Sequence, residues 1–359
     1  MAVKKFRIRI TADECKGCGR CLTVCPKKLI SRGHELNIQG YYAAVVENPE
    51  GCIGCGSCFY QCPEPGAINM VIGCVAAGRR SMTASSGLGI SLKQEAISYL
   101  AAYEMPAVIV DVMRGGPGLG NIAPEQADYF QVVKGGGHGS YRCLVFTPNS
   151  VQEMCDMTFQ AFTMAEKYRM PAYVLTDGVI GQMMESVELP AAVKYDYDPQ
   201  WKMGNIVNGE ANCISSIYME PNDLEELNKK LQAKYALIEE TEQAVEELYC
   251  DDAELVIVAY GISSRVAQGA IEQLRAEGVK VGLIRPKMVF PFPKKSLNKA
   301  VERGVKKFLC VELSAGQLIE DVRLAIECKR PVELCNRMGG NLLTCEDVCA
   351  AVRNTMKEM

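Results

Sequence analysis

Histidine is scarce in this chain, with two residues, His34 and His138, among 359. No apolar stretch approaches the ~20 residues that a membrane-spanning helix needs, so a helical membrane anchor is not expected. The start, MAVKKFRIRITADEC, has basic residues but no apolar core of an export signal. A dominant charge sign is also missing. Thirty-nine Lys and Arg stand against 43 Asp and Glu, a net charge of -4, which argues for neither a nucleic-acid nor an anionic-membrane partner. Low-complexity segments are absent as well. Cysteine, in contrast, is abundant at 18 residues. Without an export signal, that number implies a reducing cytoplasm and thiols that serve as ligands. The chain is 48 % hydrophobic, enough to bury sizeable cores, and its length suits two or three domains.

Eight of the cysteines form two copies of one spacing. Cys15, Cys18, Cys21 and Cys25 read C-x2-C-x2-C-x3-C, followed by Pro26, and Cys52, Cys55, Cys58 and Cys62 repeat it before Pro63. This run is the signature of two-cluster bacterial ferredoxins, in which the fourth cysteine ligates the other cluster. One 4Fe-4S cluster is therefore expected on Cys15, Cys18, Cys21 and Cys62, and a second on Cys52, Cys55, Cys58 and Cys25. Two-residue gaps let a tight turn aim each sulfur inward. Gly17, Gly19, Gly54 and Gly56 suit such turns. Zinc fingers use two pairs across a longer gap, and disulfide frameworks belong to small secreted domains. The other ten cysteines, Cys74, Cys143, Cys155, Cys213, Cys250, Cys310, Cys328, Cys335, Cys345 and Cys349, lie mostly in apolar surroundings and read as small buried hydrophobes.

Beyond the cysteine-rich segment, apolar runs alternate with amphipathic ones. KKFRIRI and YYAAVVE read as strands of the first segment. INMVIGCVAAG reads as a helix and RRSMTAS as a strand entering the loop SSGLGIS. KQEAISYLAAYEM reads as an amphipathic helix and PAVIVDVM as a doubly covered parallel strand. RGGPGLGN is a loop at that strand's end. YRCLVFTP and PAYVLTD read as further strands around a helix over 151–168. A charged helical stretch runs from DLEEL to EELY. ELVIVAYG, VKVGLIRP, KKFLCVEL and PVELCN then alternate with helices as a compact βαβαβ unit. Such alternation predicts parallel α/β sheets, with ligands beyond the carboxyl ends of the strands, where SSGLG and RGGPG fall.

The blocks INMVIG, MTASSGLGISLKQEA, VIVDVMRGGPG, KGGGHGSYR, TPNSVQEM, AEKYRMPAYVLTDG, LIRPKMVFPFP and ELSAGQLIEDVR resemble the alpha subunit of the 2-oxoacid:ferredoxin oxidoreductases. The resemblance runs from about Ile68 to Val352, and residues 1–67 look like the small ferredoxin subunit of the same complexes. These enzymes convert a 2-oxoacid and coenzyme A into acyl-CoA, CO2 and reduced ferredoxin. KGGGHGSYR with GVIGQMMESVELP looks most similar to the type acting on 3-methyl-2-oxobutanoate, with the 2-oxoglutarate type next. The resemblance implies a fold of four parts. An α+β two-cluster ferredoxin domain (1–67) precedes a partial parallel sheet of the thiamine-diphosphate pyrimidine type (68–186). A connector (187–250) and a transketolase C-terminal-like α/β domain (251–359) follow. It implies two 4Fe-4S clusters on this chain and thiamine diphosphate with Mg shared with or held by a partner. Coenzyme A is implied as co-substrate, beta and gamma subunits as partners, and an external ferredoxin as electron acceptor.

Arg114 carries the family's substrate role by this resemblance. A planar guanidinium binds a carboxylate bidentately and stays charged. Ser85, Ser86 and Gly87 form the loop expected to approach the cofactor. His138, in GGGHGS, suits a ligand-facing loop but reads better as structural, and His34 as exposed. One departure stands out. The family's alpha subunit opens with about sixty to seventy residues, a half-sheet's length, that have no counterpart here. That segment carries a Tyr-Pro-Ile-Thr-Pro motif and leads to the glutamate that protonates the aminopyrimidine. Glu64 falls at the glutamate's position, but it lies two residues from Cys62 and is not assigned that role. A fusion of a whole ferredoxin to a shortened alpha subunit, joined near Ala67-Ile68, is the leading expectation. An electron-transfer protein whose larger part only docks it to a complex is the second reading, and an inactive assembly product the third.

Overall fold

The computed structural model describes residues 10, 12, 15, 17, 19–38, 40–52, 66–191, 201–207, 210–212 and 214–359, without the side chains of 20, 24, 66–70, 206, 207, 210 and 211. The chain divides into two compact units, Met1–Met70 and Val71–Met359.

In the first unit a short helix α1 (Arg20–Val24) precedes a hairpin of β1 (Ile30–Leu36) and β2 (Tyr42–Val46). The strands are antiparallel, with Ile30 opposite Val46 and a register shift between Arg32 and Leu36. Cys25, Ile30 and Ala44 are buried there, with Ile10, Cys15, Cys21, Leu22 and Leu29 packed on them. YYAAVVE is the expected strand. Its partner β1 was not expected, because four of its seven residues are exposed and ISRGHEL shows no apolar face. The strand expected over KKFRIRI lies outside the described residues save for Ile10.

Helix α2 (Gly66–Ala76) spans the division between the units. The second unit holds two five-stranded sheets. The first contains β3 (Met82–Ser85), β4 (Val108–Met113), β5 (Leu144–Phe146) and β6 (Ala172–Asp177), in the order β5-β6-β4-β3 and all parallel. Their connections hold α3 (Leu88–Ser91), α4 (Gln94–Ala102), α5 (Tyr129–Val133) and α6 (Val151–Tyr168). Val108, Ile109, Val110, Met113, Val174 and Leu175 are all buried, which explains the predominantly apolar runs. Each such side chain contributes about 1.5–3 kcal/mol on leaving water. Helix α6 starts where the Ser150 side chain accepts the Glu153 N–H at 3.1 Å. It buries Met157, Ala161, Met164 and Ala165, the stripe of an amphipathic helix. A short α7 (Gly178–Gln182) follows β6.

After the two-residue strands β7 (Ile206–Val207) and β8 (Glu210–Ala211), helix α8 (Pro221–Thr241) leads to β9 (Val245–Leu248). The helical stretch expected as far as EELY therefore ends early. Val245–Leu248 pairs antiparallel with β11 (Val281–Pro286) instead. Strands β10 (Leu255–Val258), β13 (Lys307–Glu312) and β14 (Val332–Asn336) complete the second sheet, in the order β14-β13-β10-β11-β9. Its helices are α9 (Gly261–Ala276), α10 (Lys294–Glu302), α11 (Leu318–Ala325) and α12 (Cys345–Lys357). One strand crosses over. β12 (Met288–Phe290) leaves the end of β11 and adds antiparallel to β5 of the first sheet. Thr147 N–H donates to the Lys287 carbonyl at 2.9 Å, and Thr147 Oγ1 to the Pro286 carbonyl at 2.8 Å. Beside this crossing the buried Arg285 bonds Glu153 through both Nη atoms, at 2.8 and 2.7 Å, and Glu246 through Nε at 2.6 Å.

No helix among the described residues is long and apolar enough to cross a membrane. At the other end of the first sheet β3 is an edge strand, and Met82, Leu88 and Leu92 near it are exposed.

Candidate functional site

In the first unit, Cys15, Cys21, Cys25 and Cys52 are described. Cys18, Cys55, Cys58 and Cys62 lie outside the described residues. Neither expected set of four thus has more than two described members, and no metal-binding group of three forms among the described residues. What is present fits iron–sulfur ligands. Cys15 Sγ accepts the Ala44 N–H at 3.3 Å, and Cys25 Sγ accepts the Leu29 N–H at 3.4 Å. Such bonds stabilise thiolate sulfur in an apolar shell. The loop of the first run is anchored on the hairpin. Asn37 Nδ2 donates to the carbonyls of Ala12 and Cys15 at 2.7 and 2.8 Å, and Arg32 Nη2 to that of Gly17 at 3.1 Å. Gly17 has φ +61°, and a Cβ there would lie 2.7 Å from the Tyr42 carbonyl oxygen, so only glycine fits. None of the thirteen described cysteines is in a disulfide.

Of the remaining cysteines, Cys143, Cys250, Cys310 and Cys349 are buried as expected, but Cys74 and Cys328 are exposed. Cys74 lies on the open face of α2, and Cys328 on the positive-φ turn that ends α11. Cys213 lies outside the described residues.

In the second unit the parallel pairing of β3 and β4 sets Ser85 opposite Asp111. It brings Ser85, Ser86, Gly87 and Arg114 to neighbouring strand ends. Gly87 has φ +45°, and a Cβ placed on it would lie 3.8 Å from Arg114 Nε. The Arg114 Nη1 donates to the carbonyls of Leu119 and Asn121 at 3.2 and 3.0 Å. Its Nε and Nη2 have no hydrogen-bond partner among the described residues. The guanidinium is thus held from one side and leaves donors free for an anion. His138 is not part of this cluster. Its carbonyl accepts from Ser98 Oγ at 2.7 Å, and its ring stands edge-on to Tyr99 with centroids 6.1 Å apart. His34 is exposed on β1.

Four residues around the site were not anticipated. Asp128 Oδ2 accepts the Gly87 N–H at 3.1 Å. Burial raises its pKa, and Glu125 nearby adds to this, against the opposing Gly87 bond and the Arg114 charge. Lys93, 7 % exposed, donates to Thr83 Oγ1 at 3.0 Å and to the Ala84 carbonyl at 3.3 Å. Burial lowers its pKa, while Asp111 opposes this. Asp111 is 0 % exposed, and neither of its oxygens has a partner among the described residues. Burial pushes its carboxyl well above the usual range, Asp128 adds to this, and Lys93 pulls back. The expected helix KQEAISYLAAYEM begins only at Gln94, after a turn at Leu92-Lys93. That turn sends Lys93 under β3. The sequence carried one signal for this surround, the acidic run PEQAD after the glycine loop.

A parallel α/β unit in one chain with a cysteine-rich unit is the architecture of an iron–sulfur oxidoreductase subunit. Residues 49–247 match the family described as pyruvate flavodoxin/ferredoxin oxidoreductase, thiamine diphosphate-binding. Residues 253–348 match pyruvate:ferredoxin oxidoreductase core domain II, and residues 7–63 a 4Fe-4S dicluster domain. The ketoisovalerate oxidoreductase subunit VorB of Methanothermobacter thermautotrophicus is 57 % identical over 291 residues, 81 % of this chain and 82 % of that one. The 2-oxoglutarate synthase subunit KorA of Methanothermobacter marburgensis is 33 % identical over 307 residues, 78 % and 81 % of the two chains. A solved 2-oxoglutarate:ferredoxin oxidoreductase from Magnetococcus marinus, with 2-oxoglutarate, coenzyme A and succinyl-CoA bound, shares the fold. Its TM-score is 0.68 at 24 % identity, over 80 % of this chain and 55 % of that one. The present chain thus spans about half the length of that structure. It belongs to the 2-oxoacid:ferredoxin oxidoreductases, as a ferredoxin-fused alpha-type subunit of a multi-subunit enzyme.

The matched family binds thiamine diphosphate. Its phosphates and metal need cations, backbone N–H groups and metal-binding carboxylates held in solvent reach. Here the acids at the turn are committed or buried: Asp128 is spent on Gly87 and Glu125 on Gly116 and Gly339. Lys93 is buried under the strand. The described residues of this turn leave the Arg114 guanidinium open on one edge and offer no open set of cations and carboxylates for the phosphate end.

Proposed function

We propose that this chain is the alpha-type subunit of an enzyme that oxidatively decarboxylates 3-methyl-2-oxobutanoate with coenzyme A. The products are the branched acyl-CoA, CO2 and two electrons, which leave one at a time through the two clusters to an external ferredoxin. The higher identity to VorB (57 %) than to KorA (33 %) supports this substrate over 2-oxoglutarate. Beta and gamma subunits complete the assembly, and the beta subunit holds the phosphates and magnesium of the cofactor. When bound, thiamine diphosphate supplies the nucleophile for the 2-oxo carbon and the electron sink for loss of CO2. This chain's own groups do the rest. Arg114 holds the substrate carboxylate, the Ser85-Ser86-Gly87 turn lines the cofactor face, and Asp128 keeps that turn in place. Cys15, Cys18, Cys21 and Cys62 hold one cluster, and Cys52, Cys55, Cys58 and Cys25 the other. The domains run 1–67, 68–186, 187–250 and 251–359, and the first two reflect fusion of a ferredoxin to a shortened alpha subunit. A reducing cytoplasm suits a chain in which no described cysteine forms a disulfide.

The observation that carries the reading is the Arg114 guanidinium, pinned through Nη1 and open at Nε and Nη2 beside Gly87. The full chain, purified in complex with its thiamine-binding subunit, is assayed for dye reduction with a panel of 2-oxoacids. 3-Methyl-2-oxobutanoate is expected to be turned over fastest. Arg114→Ala lowers kcat/KM by roughly a hundredfold, the equivalent of about 3 kcal/mol for an unpaired carboxylate. Equal activity in that variant removes the assigned role. Clusters reduced by dithionite but never by a 2-oxoacid select the docking-only alternative.

A further inference from the structure

The segment Pro124–Asp128 lies between the arginine loop and α5, and its three polar side chains are all committed. Asp128 holds the Gly87 N–H. Gln126 is bound into the second sheet's loops. Its Nε2 donates to the Tyr260 carbonyl at 3.0 Å, and its Oε1 accepts from Ser263 Oγ at 2.8 Å and from the Leu313 N–H at 2.9 Å. Glu125, 4 % exposed, spans the two halves of the unit. Its Oε2 accepts the Gly116 N–H at 3.0 Å, and its Oε1 accepts the Gly339 N–H at 2.8 Å. Gly116 stands two residues after Arg114. Gly339 stands in the turn after β14, separated from Glu125 by 214 positions.

Two further contacts seat that turn on the arginine loop. Asn121 Nδ2 donates to the Gly339 carbonyl at 3.0 Å, and Asn121's own carbonyl is one of the two that hold Arg114 Nη1. Gly340, at φ +87°, has its missing Cβ position 2.3 Å from Ala123 Cβ, so the two backbones meet with no room for a side chain.

We propose that Glu125 is a positioning residue for Arg114. Its carboxylate clamps the arginine loop onto the Met338–Asn341 turn, so that this turn of the second sheet belongs to the 2-oxoacid site. The proposal rests on the reading of Arg114 as the carboxylate ligand. Two N–H donors on one buried carboxylate form charge-assisted bonds of fixed geometry. A glutamine of the same shape keeps one acceptor and turns an NH2 donor toward the other N–H. The loop then loses one anchor, and the guanidinium shifts relative to the substrate.

The test uses the complex containing the full chain and compares Glu125→Gln, Asn121→Ala and Arg114→Ala. In Glu125→Gln the KM for 3-methyl-2-oxobutanoate is expected to rise by roughly tenfold, less than removal of the guanidinium itself, because a displaced carboxylate ligand weakens ground-state and transition-state binding alike. Its kcat and its KM for coenzyme A stay near wild type. Calorimetry with the unreactive analogue 2-hydroxy-3-methylbutanoate shows the same loss of affinity. Cluster reduction by dithionite is unchanged. A merely structural residue would instead lower the active fraction, and so kcat, at constant KM. Should Glu125→Gln fold poorly, the exposed Asn121→Ala carries the test, with a smaller rise in the same KM. Unaltered KM and analogue binding in both variants, with Arg114→Ala impaired, overturn the clamp and leave the site reading standing. No effect of Arg114→Ala overturns both.

Discussion

At the scale of single residues, the buried acid Asp111 carries the clearest thermodynamic consequence. It shares the sheet with Ser85, three residues before Arg114, and nothing described donates to it. An ionised carboxylate in that position is costly, so the folded state holds the proton to higher pH than the unfolded chain does. The stabilisation is fully present below the unfolded value of 3.8 and is lost as pH rises through the elevated folded value. Asp111→Asn removes the titration and keeps the shape. The variant is expected to match the wild type near pH 4 and to exceed it by about 1–3 kcal/mol at alkaline pH. Urea unfolding at several pH values, followed by the fluorescence of the single Trp201, reads this directly, because Trp201 is buried in the second unit. Parallel pH profiles for the two proteins would contradict it.

Individual elements differ in how plainly their sequences announce them. Helix α12 is a clear case. Thr344 Oγ1 accepts the Asp347 N–H at 3.2 Å, and the Asp347 side chain accepts the Thr344 N–H at 3.1 Å, a complete capping box. Thr344→Ala is expected to lower the stability of the second unit by about 1 kcal/mol, and Thr344→Ser to retain it. Equal midpoints for Ala and wild type in denaturant would show that the helix does not depend on its cap. The parallel strands β4 and β6 were legible because they are covered on both faces, so VIVDVM and AYVLTD are almost wholly apolar, broken only by the buried Asp111, Thr176 and Asp177. The strand β9 was not, because Val245–Leu248 is half-buried throughout and simply extends a charged helical pattern. Nor was β12, since three residues between prolines carry no period and its partner β5 lies about 140 positions earlier. The site divides the same way. Ser85, Ser86, Gly87 and Arg114 sit in glycine-rich loops that mark strand ends locally. Asp111, Asp128, Lys93 and Glu125 acquire their places only from β3–β4 pairing, a helix break and a bond across 214 positions.

For the whole molecule the strongest consequence lies in how the two cysteine runs share their ligands. In two-cluster ferredoxins the fourth cysteine of each run serves the other cluster. Cys25 is buried, its Sγ bonded by the Leu29 N–H, whereas Cys15 sits on β2 through the Ala44 N–H. The two sulfurs of one run thus stand on different backbone segments. Losing Cys25 should therefore damage the cluster held by Cys52, Cys55 and Cys58, and spare that held by Cys15, Cys18 and Cys21. The full chain, reconstituted anaerobically, should hold about eight iron and eight sulfide, as two 4Fe-4S clusters require. Cys25→Ser is expected to halve that content, and Cys52→Ser to do the same. The two together should cost no more than either alone, because both remove one cluster. Cys25→Ser with Cys15→Ser should leave almost none, because each removes a different cluster. Iron and sulfide analysis of these variants, with the spectrum of the dithionite-reduced chain, measures the non-additivity directly. The opposite pattern, additive loss with Cys52→Ser and no added loss with Cys15→Ser, would mean that each run holds its own cluster. The electron path proposed for this subunit would then need a different order of ligands.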